Sequence, residues 1–289
     1  MKIKQYFKRV FFYIFKGVPI YNIRPQIVNL ERNTLLEGRT ALITGGASGI
    51  GFGIAKSFLN CGANVIITGR NKEKLEEAKC VLQEQYLAER IDSFVLDLQE
   101  VNTFSSIFDQ IVDRIGERKL DILVNNAGVL GCQLSNAEER SFDTTLDTNI
   151  KGPFFLSKIV GEYMKNNNIH GNILNIASSS SFRPAACAYT ISKWGLRGFT
   201  LGLAKSLIPY NIVVNGIAPG PTATSMVMNN INSSLYIENN PIHRYCTVEE
   251  ISNMAAILVS DMSRTIVGDI ICMTGGAGLI TYDDISYNF

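Results

Sequence analysis

The stretch Thr40-Ala41-Leu42-Ile43-Thr44-Gly45-Gly46-Ala47-Ser48-Gly49-Ile50-Gly51 decides how the rest of the chain is read. Thr40–Thr44 is a short apolar run with almost no polar alternation, the pattern of a strand buried on both faces. Gly45, Gly49 and Gly51 then separate that run from a stretch of helical character. A tight strand-to-helix turn needs backbone freedom, close passage of an anion needs the absence of side chains, and a helix N-terminus offers free N–H groups. The stretch therefore reads as the first βα unit of a dinucleotide-binding sheet, with Gly45, Ser48, Gly49, Ile50 and Gly51 around a pyrophosphate.

Outward from it the same alternation continues. Further apolar runs are Asn64–Thr68, Ile91–Leu96, Leu120–Asn125, Asn172–Ala177, Ile212–Ile217 and Asp269–Met273. Helical stretches include Lys72–Glu89, Val101–Gly116, Ala188–Leu207 and Val248–Ser260. Apolar strands alternating with helices predict an α/β fold, a doubly wound parallel sheet of Rossmann type with right-handed crossovers. The expected organisation is an N-terminal basic and aromatic arm over 1–36, then a single domain over 37–289. Residues 219–247, rich in Pro and Asn and without strand character, read as a substrate lid.

Composition narrows the function classes. A net charge of +1 gives no reason to expect nucleic-acid binding. Six cysteines without a CxxC pair read as reduced, mostly buried thiols in a reducing, cytoplasmic setting. Two widely separated histidines, His170 and His243, argue against a His-based metal site, and no metal is expected. Residues 1–16 carry Lys2, Lys4, Lys8, Arg9 and Lys16 among six aromatic residues and no acid. The apolar run Val10–Phe15 is too short for a secretory signal or a span. Two readings stand for this arm: peripheral contact with an anionic membrane surface, or packing on a neighbouring subunit or on its own domain.

The strand ends carry the candidate site. Asn64–Thr68 is followed by Gly69 and Arg70, with no carboxylate to bond an adenosine ribose. A guanidinium there pairs with a 2′-phosphate, which favours NADP(H), with NAD(H) as the second candidate. Asp97 and the backbone of Leu98 read as adenine contacts, and Asn125, Ala127 and Gly128 as a close backbone passage. Tyr189 and Lys193 stand four residues apart in a helical stretch and so share a face. A phenol with a pKa of about 10 is a poor acid–base at neutrality, and a neighbouring ammonium lowers it. Tyr189 could then give a proton to a carbonyl oxygen or take one from an alcohol.

At this point the chain resembles the classical short-chain dehydrogenases/reductases over nearly all of Leu36–Ala277. The resemblance rests on Thr44–Gly51, Asn125–Gly128, Tyr189–Lys193 and the Pro-Gly-xxx-Thr of Pro219–Thr224, four motifs in the family's order. It implies a small carbonyl or alcohol substrate and a homodimer or homotetramer. It also implies Tyr189 as general acid/base and Lys193 as the residue that binds the nicotinamide ribose and lowers the tyrosine pKa. Asn149 would hold a proton-relay water, and Pro219, Gly220 and Thr224 would grip the nicotinamide amide and pyrophosphate. The family's serine departs from its usual spacing, which would land on Ile176. Alignment by the strand Asn172–Ala177 selects Ser178 through a shortened loop, with Ser179 and Ser180 as open alternatives. The competing function is a non-catalytic NADP-binding scaffold acting through the arm. A third reading, nucleotide-sugar epimerisation or dehydration, would want a larger C-terminal region than this chain has.

Overall fold

The computed structural model describes Phe11, residues 34–224 and residues 235–278. Seven strands form one parallel sheet: β1 (Thr40–Thr44), β2 (Asn64–Gly69), β3 (Ile91–Val95), β4 (Leu120–Asn125), β5 (Asn172–Ile176), β6 (Val213–Pro219) and β7 (Ile270–Met273). Their order is β3-β2-β1-β4-β5-β6-β7, the doubly wound arrangement expected. The order reverses between β1 and β4, and this switch point opens a crevice at the carboxyl ends of the strands.

The strands show why the apolar runs lack alternation. Ala41 and Ile43 pack into one core layer and Leu42 into the other. The same split holds for Val65 and Ile67 against Ile66, and for Ile122 and Val124 against Leu123. One layer is closed by α1 (Gly49–Asn60), α2 (Lys72–Gln83) and α7 (Val248–Leu258), through Ile54, Phe58, Leu75 and Ile251. The other is closed by α3 (Phe104–Ile115), α5 (Gly152–Asn166) and α6 (Ala188–Leu207), through Phe108, Ile111, Leu156 and Val160. A short α4 (Glu139–Leu146) runs into a π-turn, Asp147–Lys151, ahead of α5.

Several boundaries differ from the expectation for local reasons. Helix α2 stops at Gln83, and the chain turns toward β3 where the Arg90 guanidinium bonds Ala63 O and Leu59 O. The stretch from Val101 begins as a 3-10 turn before α3, which ends where Gly116 turns to φ 59°. β6 runs on to Pro219, paired with Met273, so the first residue assigned to the lid belongs to the sheet. The rest of that assignment lies partly outside the described residues, as does nearly all of the arm. Leu36, the last residue assigned to the arm, is fully buried in the core, with its N–H on Cys61 O. No helix among the described residues is long and apolar enough to cross a membrane. All six cysteines are free, but only Cys61 and Cys246 are buried, fewer than expected, because the others lie on helix surfaces, site loops and the edge strand β7.

Candidate active site

The crevice at the switch point is a cleft of about 470 Å³ lined from the ends of β1 to β6. At its floor, Gly45 turns to φ 65°, and a Cβ there would stand 2.9 Å from the Ala127 Cα. Ser48 leads into α1 with an extended backbone and no side-chain cap, so the first N–H groups of the helix stay open toward the cleft. Gly49 and Ile50 line the cleft beside it. Gly51 does not: its missing Cβ would meet Gly45 O at 2.3 Å, so this glycine lets α1 pack against the turn.

The turn after β1 is tied to the turn after β4. The Thr44 hydroxyl accepts from the backbone N–H of Asn126 (3.0 Å) and of Ala127 (3.1 Å). The Asn126 amide donates back to Thr44 O (2.9 Å) and Gly45 O (3.2 Å). Sequence reasoning chose Asn125 here and passed over Asn126, although both stand in the quoted motif. The structure turns the Asn125 side chain into the sheet layer, donating to Ser157 Oγ (2.9 Å) and Asn175 Oδ1 (2.8 Å) and lining no part of the cleft. Ala127 and Gly128 line it as expected.

At the adenosine end, Arg70 is exposed along the cleft, and Lys74, which sequence reasoning missed, lines it one turn further into α2. Its backbone N–H is held by the Asn71 cap (2.7 Å), which fixes the helix phase. Asp97 and Leu98 also line the cleft, and Asp97 already accepts from the Gln99 N–H at 3.0 Å.

The other end of the cleft gathers Ser178, Tyr189 and Lys193. Ser178 follows β5 and caps a 3-10 turn by accepting from Ser180 N–H (3.1 Å). Its side chain is hydrogen-bonded to Tyr189, whereas Ser179 and Ser180 do not line the cleft. Burial pushes the Tyr189 phenol up, the Ser178 hydrogen bond draws it down, and the Cys187 thiol pushes it up. Lys193 projects from the next turn of α6 and is 4% exposed. Its ammonium donates to Ile176 O at 2.8 Å, and burial drops its pKa from 10.5 to about 8. In the protein without dinucleotide, burial sets the direction of the Tyr189 shift. The ammonium lies 5.7 Å from the ring centroid and is itself destabilised by burial.

Asn149 occupies the π-turn, 1% exposed, but its amide does not line the cleft. Oδ1 accepts from Val129 N–H (2.8 Å), and Nδ2 donates to Val129 O (2.9 Å) and Ser192 Oγ (3.0 Å). Both amide protons are committed, so this side chain holds the loop after β4 against α6. Pro219, Gly220 and Thr224 line the cleft together with Pro221 and Thr222.

A tight glycine turn, an open helix N-terminus, side-chain-free passages and a buried ammonium at the far end suit an elongated anion with a reactive ring at one end. The family described as short chain dehydrogenase matches residues 39–234. The chain belongs to the short-chain dehydrogenase family. As such it is an oxidoreductase of CH–OH and C=O groups. This dehydrogenase is 33% identical over 248 residues to the 3alpha-hydroxysteroid dehydrogenase of Mediterraneibacter gnavus, covering 84% of this chain and 98% of that one. It matches the structure of a gluconate 5-dehydrogenase from Burkholderia cenocepacia in complex with NADP and tartrate, with a TM-score of 0.75, 30% identity, and coverage of 85% and 97%. It also matches the 3-ketoacyl-(acyl-carrier-protein) reductase from Brucella melitensis complexed with NADH, with a TM-score of 0.76, 27% identity, and coverage of 84% and 100%. The glycine turn, the tied floor and the Tyr189–Lys193 pair of the dehydrogenase all fall inside the matched residues.

Proposed function

We propose that the protein interconverts a ketone and a secondary alcohol with a nicotinamide dinucleotide, NADP(H) in preference to NAD(H). The observation that carries this reading is the convergence of Ser178, Tyr189 and Lys193 on one wall of the cleft, with Tyr189 bonded to Ser178. The bound dinucleotide supplies or accepts the hydride.

The protein's own residues manage the proton. Burial keeps the Tyr189 phenol protonated at neutral pH, so in reduction its O–H is ready to protonate the carbonyl oxygen. In oxidation the same oxygen takes the proton of the alcohol. Ser178 donates to the substrate oxygen as negative charge develops on it. Lys193 is cationic at neutral pH, and beyond its bond to Ile176 O it has N–H groups for the hydroxyls of the nicotinamide ribose. Asn149 acts by position, pinning Val129 and Ser192.

The NADP(H) preference is supported by Arg70 and Lys74, both exposed along the cleft at the end of β2 and the start of α2, while Glu73, the acid of that first helical turn, does not line the cleft. Assembly as a homodimer or homotetramer is supported by the apolar surface of α5 and α6. Phe154 (47%), Trp194 (42%) and Leu201 (55%) are exposed there. Free thiols throughout fit a reducing, cytoplasmic setting.

The test is Tyr189→Phe. Turnover should fall by about 10²–10⁴-fold, the contribution of a general acid, while NADPH binding, read by fluorescence titration, stays unchanged. Full turnover by this variant would overturn the assignment.

A further inference from the structure

Three loop segments rise at the carboxyl ends of the strands around Tyr189: 129–134 after β4, 178–187 after β5 and 220–224 after β6. The cleft there is walled by Val129, Leu130, Ile176, Ala177, Pro219 and Pro221. Its reactive polar groups, Ser178, Tyr189 and Lys193, already have parts in the reaction. Two further hydroxyls are neutral: Thr222 is turned to Gly220 O (2.9 Å), and Thr148 Oγ1 is buried without a protein partner.

The other ionisable groups of the cleft stand elsewhere. Arg70 and Lys74 follow β2, and Asp97 follows β3. In the order β3-β2-β1-β4-β5, β2 lies three strands from β5, a separation of about 14 Å at the usual strand spacing. Within these segments the permanently charged side chain is Arg183; farther along the loop after β6, Arg244 is paired with Glu250, and neither it nor Glu238 lines the cleft. Arg183 does not line the cleft: it is buried, and its guanidinium lies against the turn after β7, where a Cβ on Gly278 would meet Nε at 2.6 Å. The loop after β4 instead exposes Leu130 (56%) and Leu134 (51%). A carboxylate or phosphate brought next to the reacting carbon would lose its water and find no counter-ion among the described lining residues except Lys193, whose place is at the ribose.

From this we infer that the substrate is a neutral, apolar ketone or its secondary alcohol, alicyclic or aliphatic, with no anionic group close to the reacting carbon. The inference rests on the carbonyl–alcohol reading above. In reduction the carbonyl carbon gains a hydride from the reduced dinucleotide and its oxygen gains the Tyr189 proton. Alcohol and oxidised dinucleotide leave, and solvent reprotonates the phenolate.

The experiment compares kcat/KM of the full chain with NADPH on decalone, an apolar bicyclic ketone, and on 2-keto-gluconate, a polar acid whose carboxylate adjoins the ketone. Calorimetry of decalol and gluconate binding to the NADP-loaded protein provides a readout independent of turnover. The expected preference for the apolar pair is on the order of 100-fold in both. Leu130→Arg, on the exposed rim, should narrow it by about tenfold by giving the acid a partner. Equal or better use of 2-keto-gluconate would overturn the inference and leave the reductase reading standing. Absence of NADPH oxidation with either ketone, together with no binding of either alcohol, would overturn both.

Discussion

Replacing Lys193 with Met should make the free protein more stable while abolishing its turnover. The ammonium is 4% exposed, and its pKa drops from 10.5 to about 8 through burial. That drop amounts to a penalty of about 3 kcal/mol on the charged form at neutral pH. Methionine has a similar length and no charge, and its cost is the lost bond to Ile176 O, about 1 kcal/mol. The net gain is about 2 kcal/mol, which in a domain of this size raises the melting temperature by about 4–8 °C. The pH dependence has a definite sign. The folded-state pKa lies below the unfolded one, so between about 8 and 10.5 the unfolded chain binds more protons. The penalty is complete below pH 8 and fades as pH rises through that window, so the advantage of the variant should shrink from pH 8 to pH 10. Thermal melts of both proteins without dinucleotide, at pH 7, 8, 9 and 10, measure this. A variant that melts below the parent at pH 7, or a difference that does not change with pH, would refute the argument that burial of an ammonium sets the energy here.

Two further outcomes follow from the cleft. The double substitution Arg70→Ser and Lys74→Ser should weaken NADPH binding by about 10–100-fold, leave NADH binding unchanged, and flatten the salt dependence of NADPH affinity. Equal loss for both dinucleotides would show that these side chains do not read the 2′-phosphate. Gly51→Ala places a methyl group 2.3 Å from Gly45 O, so it should destabilise the domain by about 1–3 kcal/mol and weaken dinucleotide binding. An unchanged melting temperature would mean that the turn yields without cost.

The order of strands and helices was legible because a strand buried on both faces cannot hide its composition. Leu42 and Ile43 enter opposite core layers, and both must be apolar. Tyr189 and Lys193 were legible because helical spacing puts them on one face in a chain whose glycine turn and Asn125–Gly128 stretch already pointed to a dinucleotide site. Aligning the strand selected Ser178 but left Ser179 and Ser180 open, and Ser178 is the one the structure hydrogen-bonds to Tyr189. Asn125 and Asn126 were not separable in this way. Neighbouring residues at a strand end point to opposite sides, and nothing local says which side holds the cleft. The partners of Asn149 were equally hidden, since Ser192 comes 43 residues later. Lys74 was missed because its place depends on the helix phase that the Asn71 cap sets.

The seam between Thr44 and Asn126 joins the two halves of the sheet where their crossovers diverge. Because four hydrogen bonds hold the two turns together within the protein itself, the floor has its shape before any ligand arrives. A ligand that docks there pays little to reorganise it, and its affinity is not discounted by a rare competent state. Among the described residues, no hydrogen bond ties the loop after β5 to that seam. Substitutions in the loop segments 129–134 and 179–187 can therefore accumulate and alter which ketone is accepted while the seam under the dinucleotide is inherited unchanged.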